Sequence, residues 1–335
     1  MSRPKSGSSN SLISLCARAG LAAFCSLGGL APVTGAAQVA PETLPIYSVT
    51  ATDTQFLQGQ ARYGSPAHIS GKLQLPGGEG PYPAVIILHG SSGAGSMGYR
   101  DWETRLNAAG FATLLVDSYT ARGVEEIFSD QGRLGEFYAV YDAYRAADAL
   151  ARHAAIDPGR IAVLGFSRGG IGALYSAMDR FAFLYGPAEP LAAHVPFYPP
   201  CNFALEDPLQ TTGAPIRLFH GEADDWNPLA ACERYIAALA AAGTNAEITT
   251  YPDASHAFDN SAAPAFFVVG EAQTSRACFR TEYAGVLYAD DNFERPFGWD
   301  DGCVETGPSQ QFQREAAMAA KDAVIAFLVE TLTPK

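Results

Sequence analysis

The chain has 335 residues, 48% of them hydrophobic and 17% charged, which excludes a disordered chain, a coiled coil and a collagen-like repeat. Its 22 Lys and Arg face 35 Asp and Glu, and the resulting charge of −13 repels phosphates and argues against nucleic acid as a partner. From the N-terminus, Arg3 and Lys5 give a basic start, residues 21–32 an apolar run, and Thr34-Gly35-Ala36-Ala37 a small-residue stretch. This order is that of a secretory signal, so residues 1–37 are read as a leader cleaved near Ala36 or Ala37. The apolar run, about 12 residues, is shorter than the ~20 that cross a membrane. An exported protein, periplasmic or extracellular, is therefore expected, with no membrane attachment after cleavage. Cleavage removes Cys16 and Cys25 and leaves Cys201, Cys232, Cys278 and Cys303. Four cysteines in an exported chain predict two disulfides, and three pairings are possible.

Strands and helices then alternate over residues 38–335, read as one domain. Residues 55–75, with a strand at 68–75, read as an antiparallel hairpin leading into the fold. Strands are predicted at 82–88, 111–117, 160–166, 193–198, 216–220 and 246–251. They are rich in Val, Ile, Leu and Phe with little polar alternation, as parallel strands covered on both faces require. Helical patterns fall at 102–109, 135–153, 169–177 and 229–242, and a final helix at about 312–332. This order gives an α/β fold with a mostly parallel central sheet and right-handed crossovers. The connection over about 259–310 is unusually long and carries many aromatic residues, including Phe266, Phe279, Tyr288 and Trp299. Such a segment reads equally well as a lid or as a surface wrap.

Gly165-Phe166-Ser167-Arg168-Gly169 has the form G-x-S-x-G, directly after an apolar strand and at the start of a helical pattern. That setting lifts a serine onto a tight strand-to-helix turn, beside the free N–H groups of a helix start. A serine hydroxyl needs a base, and the base an orienting acid. On this scaffold they follow in the order serine, acid, histidine. The acid loop is His220-Gly221-Glu222-Ala223-Asp224-Asp225-Trp226-Asn227-Pro228. Its register favours Asp224 over Asp225 and Glu222, whose alternative is a solvated loop carboxylate. His256 is the one histidine after that acid. His89 and His220 read as structural, and His68, His153 and His194 show no ligand spacing. No metal motif and no cofactor motif is present. The loop after the 82–88 strand, His89-Gly90-Ser91-Ser92-Gly93, offers Ser91 as one backbone donor for an oxyanion; Arg168, next to the serine, offers the other.

These segments, with Ile87-Leu88-His89-Gly90, Asp117-Ser118-Tyr119-Thr120-Ala121-Arg122-Gly123-Val124 and Asp157-Pro158-Gly159-Arg160-Ile161, resemble the dienelactone hydrolase family of the α/β-hydrolase superfamily. Tyr198-Pro199-Pro200-Cys201 and the Cys232 helix resemble its exported branch. The resemblance implies an α/β-hydrolase fold and a small-molecule ester substrate. It implies an acyl-enzyme mechanism with Ser167 as nucleophile, His256 as base, Asp224 as its orienting acid and Ser91 and Arg168 as oxyanion donors. One departure matters: dienelactone hydrolases proper use cysteine where this chain has Ser167. A serine stays protonated at neutral pH and depends on His256, so a general ester hydrolase is expected. Arg122 is a candidate for a substrate carboxylate or a salt bridge, and Trp226 for a pocket wall or core. Cys201 and Cys232, both placed near the active-site edge, are expected to pair, leaving Cys278 with Cys303. A peptidase or acyltransferase with the same triad, and a non-catalytic binding protein, remain as alternatives.

Overall fold

The computed structural model describes residues 40–95, 98–289 and 293–333, and the expected leader lies outside them. In chain order the strands are β1 (Glu42–Thr50), β2 (Ser65–Gln74), β3 (Tyr82–Leu88), β4 (Ala112–Asp117), β5 (Ile156–Phe166), β6 (Ala193–Phe197), the short β7 (Phe203–Ala204), β8 (Ile216–Gly221) and β9 (Ala246–Tyr251). All but β7 join one eight-stranded sheet in the order β1-β2-β4-β3-β5-β6-β8-β9. β1 and β2 run antiparallel to their neighbours, and the pairs from β4 to β9 are parallel. The helices are α1 (Asp53–Leu57), α2 (Gly98–Ala108), α3 (Tyr138–Ala151), α4 (Arg168–Tyr175), α5 (Asp179–Tyr185), α6 (Leu229–Ala241) and α7 (Arg314–Leu332).

Burial explains the sequence pattern. β3 and β6 are buried on both faces nearly throughout. Ile86 and Val163 pack with residues of α3, α4 and α6, whereas Val85 and Ile87 pack with α2 and α7. Each such aliphatic side chain contributes about 1.5–3 kcal/mol on burial, so a continuous apolar run has a place only where both faces are covered. β1 instead alternates between exposed and buried residues, which suits an edge with one dry face.

The N-terminal hairpin differs from the sequence reading. Its first arm is β1, with Ile46 opposite Ile69, and not a segment after residue 55. Residues Asp53–Leu57 are a short helix, closed by a capping box between Thr52 and Gln55. Pro45 hides the strand from a propensity reading, yet an outermost strand accepts proline because one of its sides bears no ladder partner.

The segment after β9 is not a bare loop. β10 (Phe267–Val268) pairs with β15 (Ser309–Gln310), and β11 (Gln273–Thr274) with β14 (Glu305–Thr306). β12 (Arg280–Tyr283) pairs with β13 (Val286–Tyr288) on one side and with β7 on the other. A Cys278–Cys303 disulfide closes this insert on itself. A second, Cys201–Cys232, ties the chain after β6 to α6.

Candidate active site

β5 ends at Phe166 and α4 begins at Arg168, leaving Ser167 alone in the bend at φ +52° and ψ −114°. A non-glycine residue there carries strain of about 1–3 kcal/mol, held by its surroundings. The Ser167 N–H donates to the Phe197 carbonyl at 2.9 Å, locking the bend to the end of β6. Two glycines make the turn possible. A Cβ on Gly165 would sit 2.1 Å from the Gly169 oxygen, and one on Gly169 would sit 2.4 Å from the Leu88 oxygen.

The Ser167 hydroxyl lies 2.9 Å from His256 Nε2, and His256 Nδ1 lies 2.8 Å from Asp224 Oδ2. Asp224 is buried, and its other oxygen accepts the N–H groups of Trp226 and Asn227, each at 2.9 Å. Burial alone would raise this carboxyl. The attraction and hydrogen bond of His256, aided by His220 and the Asn227 N–H, outweigh burial and hold it below the usual carboxylate range. An ionised Asp224 selects the His256 tautomer with its proton on Nδ1, which leaves Nε2 free to accept from serine. The imidazole is clamped between Tyr198 and Trp226, at ring separations of 4.6 and 4.9 Å.

The competing acids are engaged elsewhere. Asp225 accepts the Ser309 N–H and hydroxyl at 2.8 and 2.9 Å, fastening the insert, and Glu222 accepts from Thr250. His89 bridges two loops: Nε2 accepts the Ser118 N–H, and Nδ1 donates to the Gly90 carbonyl. Burial lowers its pKa, so it stays neutral.

The loop after β3 lies against the serine, since a Cβ on Gly90 would be 3.4 Å from Ser167 Cβ. Its neighbour Ser91 lines the cleft, and the Ser91 hydroxyl donates to Gln131 at 3.1 Å. Arg168 opens α4, so its backbone N–H has no intrahelical acceptor. Its side chain is buried and paired with Glu136 at 2.7 Å. Glu136 also pairs with the buried Arg280 at 2.7 Å, and Arg280 donates to Asn202 at 2.6 Å. This Arg168–Glu136–Arg280 chain joins the bend to the insert. No spacing rule could have found it, because its members come from three distant stretches.

Two further expectations fare differently. Trp226 is a cleft wall, with its indole N–H donating to the Gln273 carbonyl at 3.2 Å. Arg122 is not in the cleft: its side chain is 3% exposed and makes two bonds to Asp142, at 2.8 and 2.9 Å. Burial of the Asp142 carboxylate demanded a full partner, and the reading of Arg122 as a substrate ligand is corrected to the buried pair. Among the described residues no cluster of His, Cys, Asp and Glu could hold a metal ion.

Ser167 stands where two hollows meet. One, of about 20 Å³, is lined by Gln131, Glu136, Arg168, Gln273, Ser275 and Trp299. The other, of about 60 Å³, is lined by Tyr99, Phe166, Tyr198, His256, Ala257 and Gln310.

The strand order, the helices on both faces and the bend bearing Ser167 define the α/β-hydrolase fold. The sequence model of the dienelactone hydrolase family matches residues 69–282, and the chain belongs to that family. An Escherichia coli K12 protein, whose name assigns it provisionally as a carboxymethylenebutenolidase, is 30% identical over 204 residues, covering 56% of this chain and 72% of that one. An uncharacterized Mycobacterium tuberculosis protein is 31% identical over 176 residues; the match covers 49% of this chain and 59% of that relative's length. Esterase 2 of Thermogutta terrifontis shares the fold at a TM-score of 0.51 and 19% identity, over 80% of this chain and 92% of the other.

Proposed function

We propose that the protein is a serine carboxylic-ester hydrolase acting on small esters or lactones through an acyl-enzyme. The observation that carries this is the 2.9 Å approach of the Ser167 hydroxyl to His256 Nε2, with Asp224 behind it at 2.8 Å. Ser167 Oγ attacks the ester carbonyl as His256 takes its proton, giving a tetrahedral oxyanion and an imidazolium steadied by Asp224. The N–H groups of Ser91 and Arg168 receive the oxyanion, each worth roughly 3 kcal/mol of transition-state stabilisation. The intermediate collapses, the C–O bond breaks, and His256 passes the proton to the departing alcohol. Water, deprotonated by His256, then attacks the acyl-serine; the acid leaves and Ser167 regains its proton.

Two disulfides support an exported protein. Among the described residues no helix is long and apolar enough to cross a membrane.

The name of the Thermogutta structure describes it as phosphonylated by cyclosarin, which suggests the test. A fluorophosphonate, followed by peptide mapping, is expected to label Ser167 and to abolish turnover of p-nitrophenyl acetate. Ser167→Ala is expected to lower kcat by roughly 10⁴–10⁶-fold with the fold intact by circular dichroism. Adduct on another residue, or the absence of both label and ester turnover, rejects the reading. Faster cleavage of aminoacyl anilides than of esters would make the protein a peptidase instead.

A further inference from the structure

We propose that the two hollows beside Ser167 divide the substrate: the narrow polar one takes the acyl group, and the wider aromatic one takes the alcohol. The inference rests on the ester-hydrolase reading above and specifies its substrate. The assignment follows from the proton. His256 must hand a proton to the departing oxygen, so the alcohol has to leave on the side where Nε2 can reach it. His256 lines the wider hollow together with Tyr99, Phe166, Tyr198 and Gln310. The narrower hollow has no contribution from His256. Both hollows share Ser91, Ser167 and Trp226, so a carbonyl at the serine can extend one substituent into each.

The chemistry of the walls then fixes the substrate class. The acyl side presents the amides of Gln131 and Gln273, the hydroxyl of Ser275 and the Arg168–Glu136 pair, closed by the indole of Trp299. These polar groups lose hydration when an alkyl chain covers them, and a plain chain gives nothing back. A short acyl group bearing a hydroxyl or another hydrogen-bonding substituent restores those bonds. The alcohol side is walled by the rings of Tyr99, Phe166 and Tyr198 and has about three times the room of the acyl side, which suits an aryl or branched alkyl alcohol. Trp299, Gln273 and Ser275 all belong to the insert, which makes the insert the determinant of acyl selectivity.

Two substrate series test this. In the first, p-nitrophenyl esters run from acetate to octanoate and include glycolate and lactate. In the second, acetate esters run from methyl to benzyl to naphthyl. The wild-type kcat/KM is expected to fall about tenfold or more from acetate to octanoate, to favour lactate over propionate, and not to fall from methyl to benzyl to naphthyl acetate. Trp299→Ala should raise the octanoate-to-acetate ratio about tenfold, and Gln310→Ala should alter the alcohol series alone. The wild-type profile needs no variant to fold. Turnover that tolerates octanoate but rejects naphthyl acetate reverses the assignment. Equal shifts of both series in Trp299→Ala also overturn it. Absence of any ester turnover together with absence of phosphonate labelling would instead remove the hydrolase reading itself.

Discussion

The two walls of the cleft are held by different physics. The wall bearing Ser167, Asp224 and His256 stands on loops at the ends of β5, β8 and β9; β5 and β8 are fixed by burial between helices on both faces, and the edge strand β9 is laddered to β8. The facing wall is the insert, whose ladders of two to four residues bury little. Pins secure it: the Cys278–Cys303 bond, the Arg280–Glu136 pair, and the Ser309 contacts to Asp225. A wall fixed by non-directional packing keeps its geometry when one surface residue changes. A wall fixed by a few directional contacts changes shape when one is lost. On the proposed ester-hydrolase reading, reaction chemistry resides on the first and selectivity on the second.

Three perturbations break or sharpen this contrast. Asp224→Asn strikes the packed wall at its one electrostatic dependence: the amide no longer selects the Nδ1–H tautomer, and kcat should fall by about 10⁴-fold. Asp225→Asn, one residue along, should leave kcat within about threefold, since the amide oxygen still accepts from Ser309 and the pin is kept. Steady-state kinetics on p-nitrophenyl acetate compares the two, and a similar loss from both would erase the distinction.

Glu136→Gln cuts a pin. It leaves Arg168 and Arg280 as buried cations without their carboxylate, at a cost of about 3–5 kcal/mol. Urea denaturation reads this directly. A loss under about 1 kcal/mol would mean that the pair carries nothing across the boundary.

Acid separates the walls by a smaller amount. Burial lowers the pKa of His194, on β6, to about 4, while an unfolded imidazole titrates near 6.5. The unfolded chain then binds the extra proton between these values. The stability that comes from keeping His194 neutral is complete above pH 6.5 and is lost as pH falls toward 4, about 3 kcal/mol in all. His194→Gln should flatten that part of the acid limb in chemical denaturation. An unchanged slope between pH 6.5 and 4 would refute it. The insert contains no histidine, so this loss belongs to the packed wall alone.

Legibility in the sequence followed the same division. β3 spans the predicted residues because a continuous apolar run has one stable setting, between two helical layers, and the edge strand β9 was readable from its β-branched Ile248, Thr249 and Thr250. β5 begins at Ile156, ahead of the predicted 160, because Asp157-Pro158-Gly159 imitates a turn. The seven-residue α5 is too short to show a helical period. The order serine, acid, histidine was readable because each residue must follow its own strand end. The Arg168–Glu136–Arg280 chain was not readable, because an ion pair between distant segments leaves no spacing signature. Arg122 shows the converse: an arginine in a suggestive motif was spent on Asp142, which no local pattern announced.

Adjacent carboxylates in the loop after β8 reach in opposite directions, Asp224 to His256 and Asp225 to Ser309. The hold on His256 and the hold on the insert thus hang on one short length of backbone. Under the proposed assignment, an acyl group large enough to displace the insert also pulls on the backbone that holds the partner of His256, so crowding and loss of alignment come together.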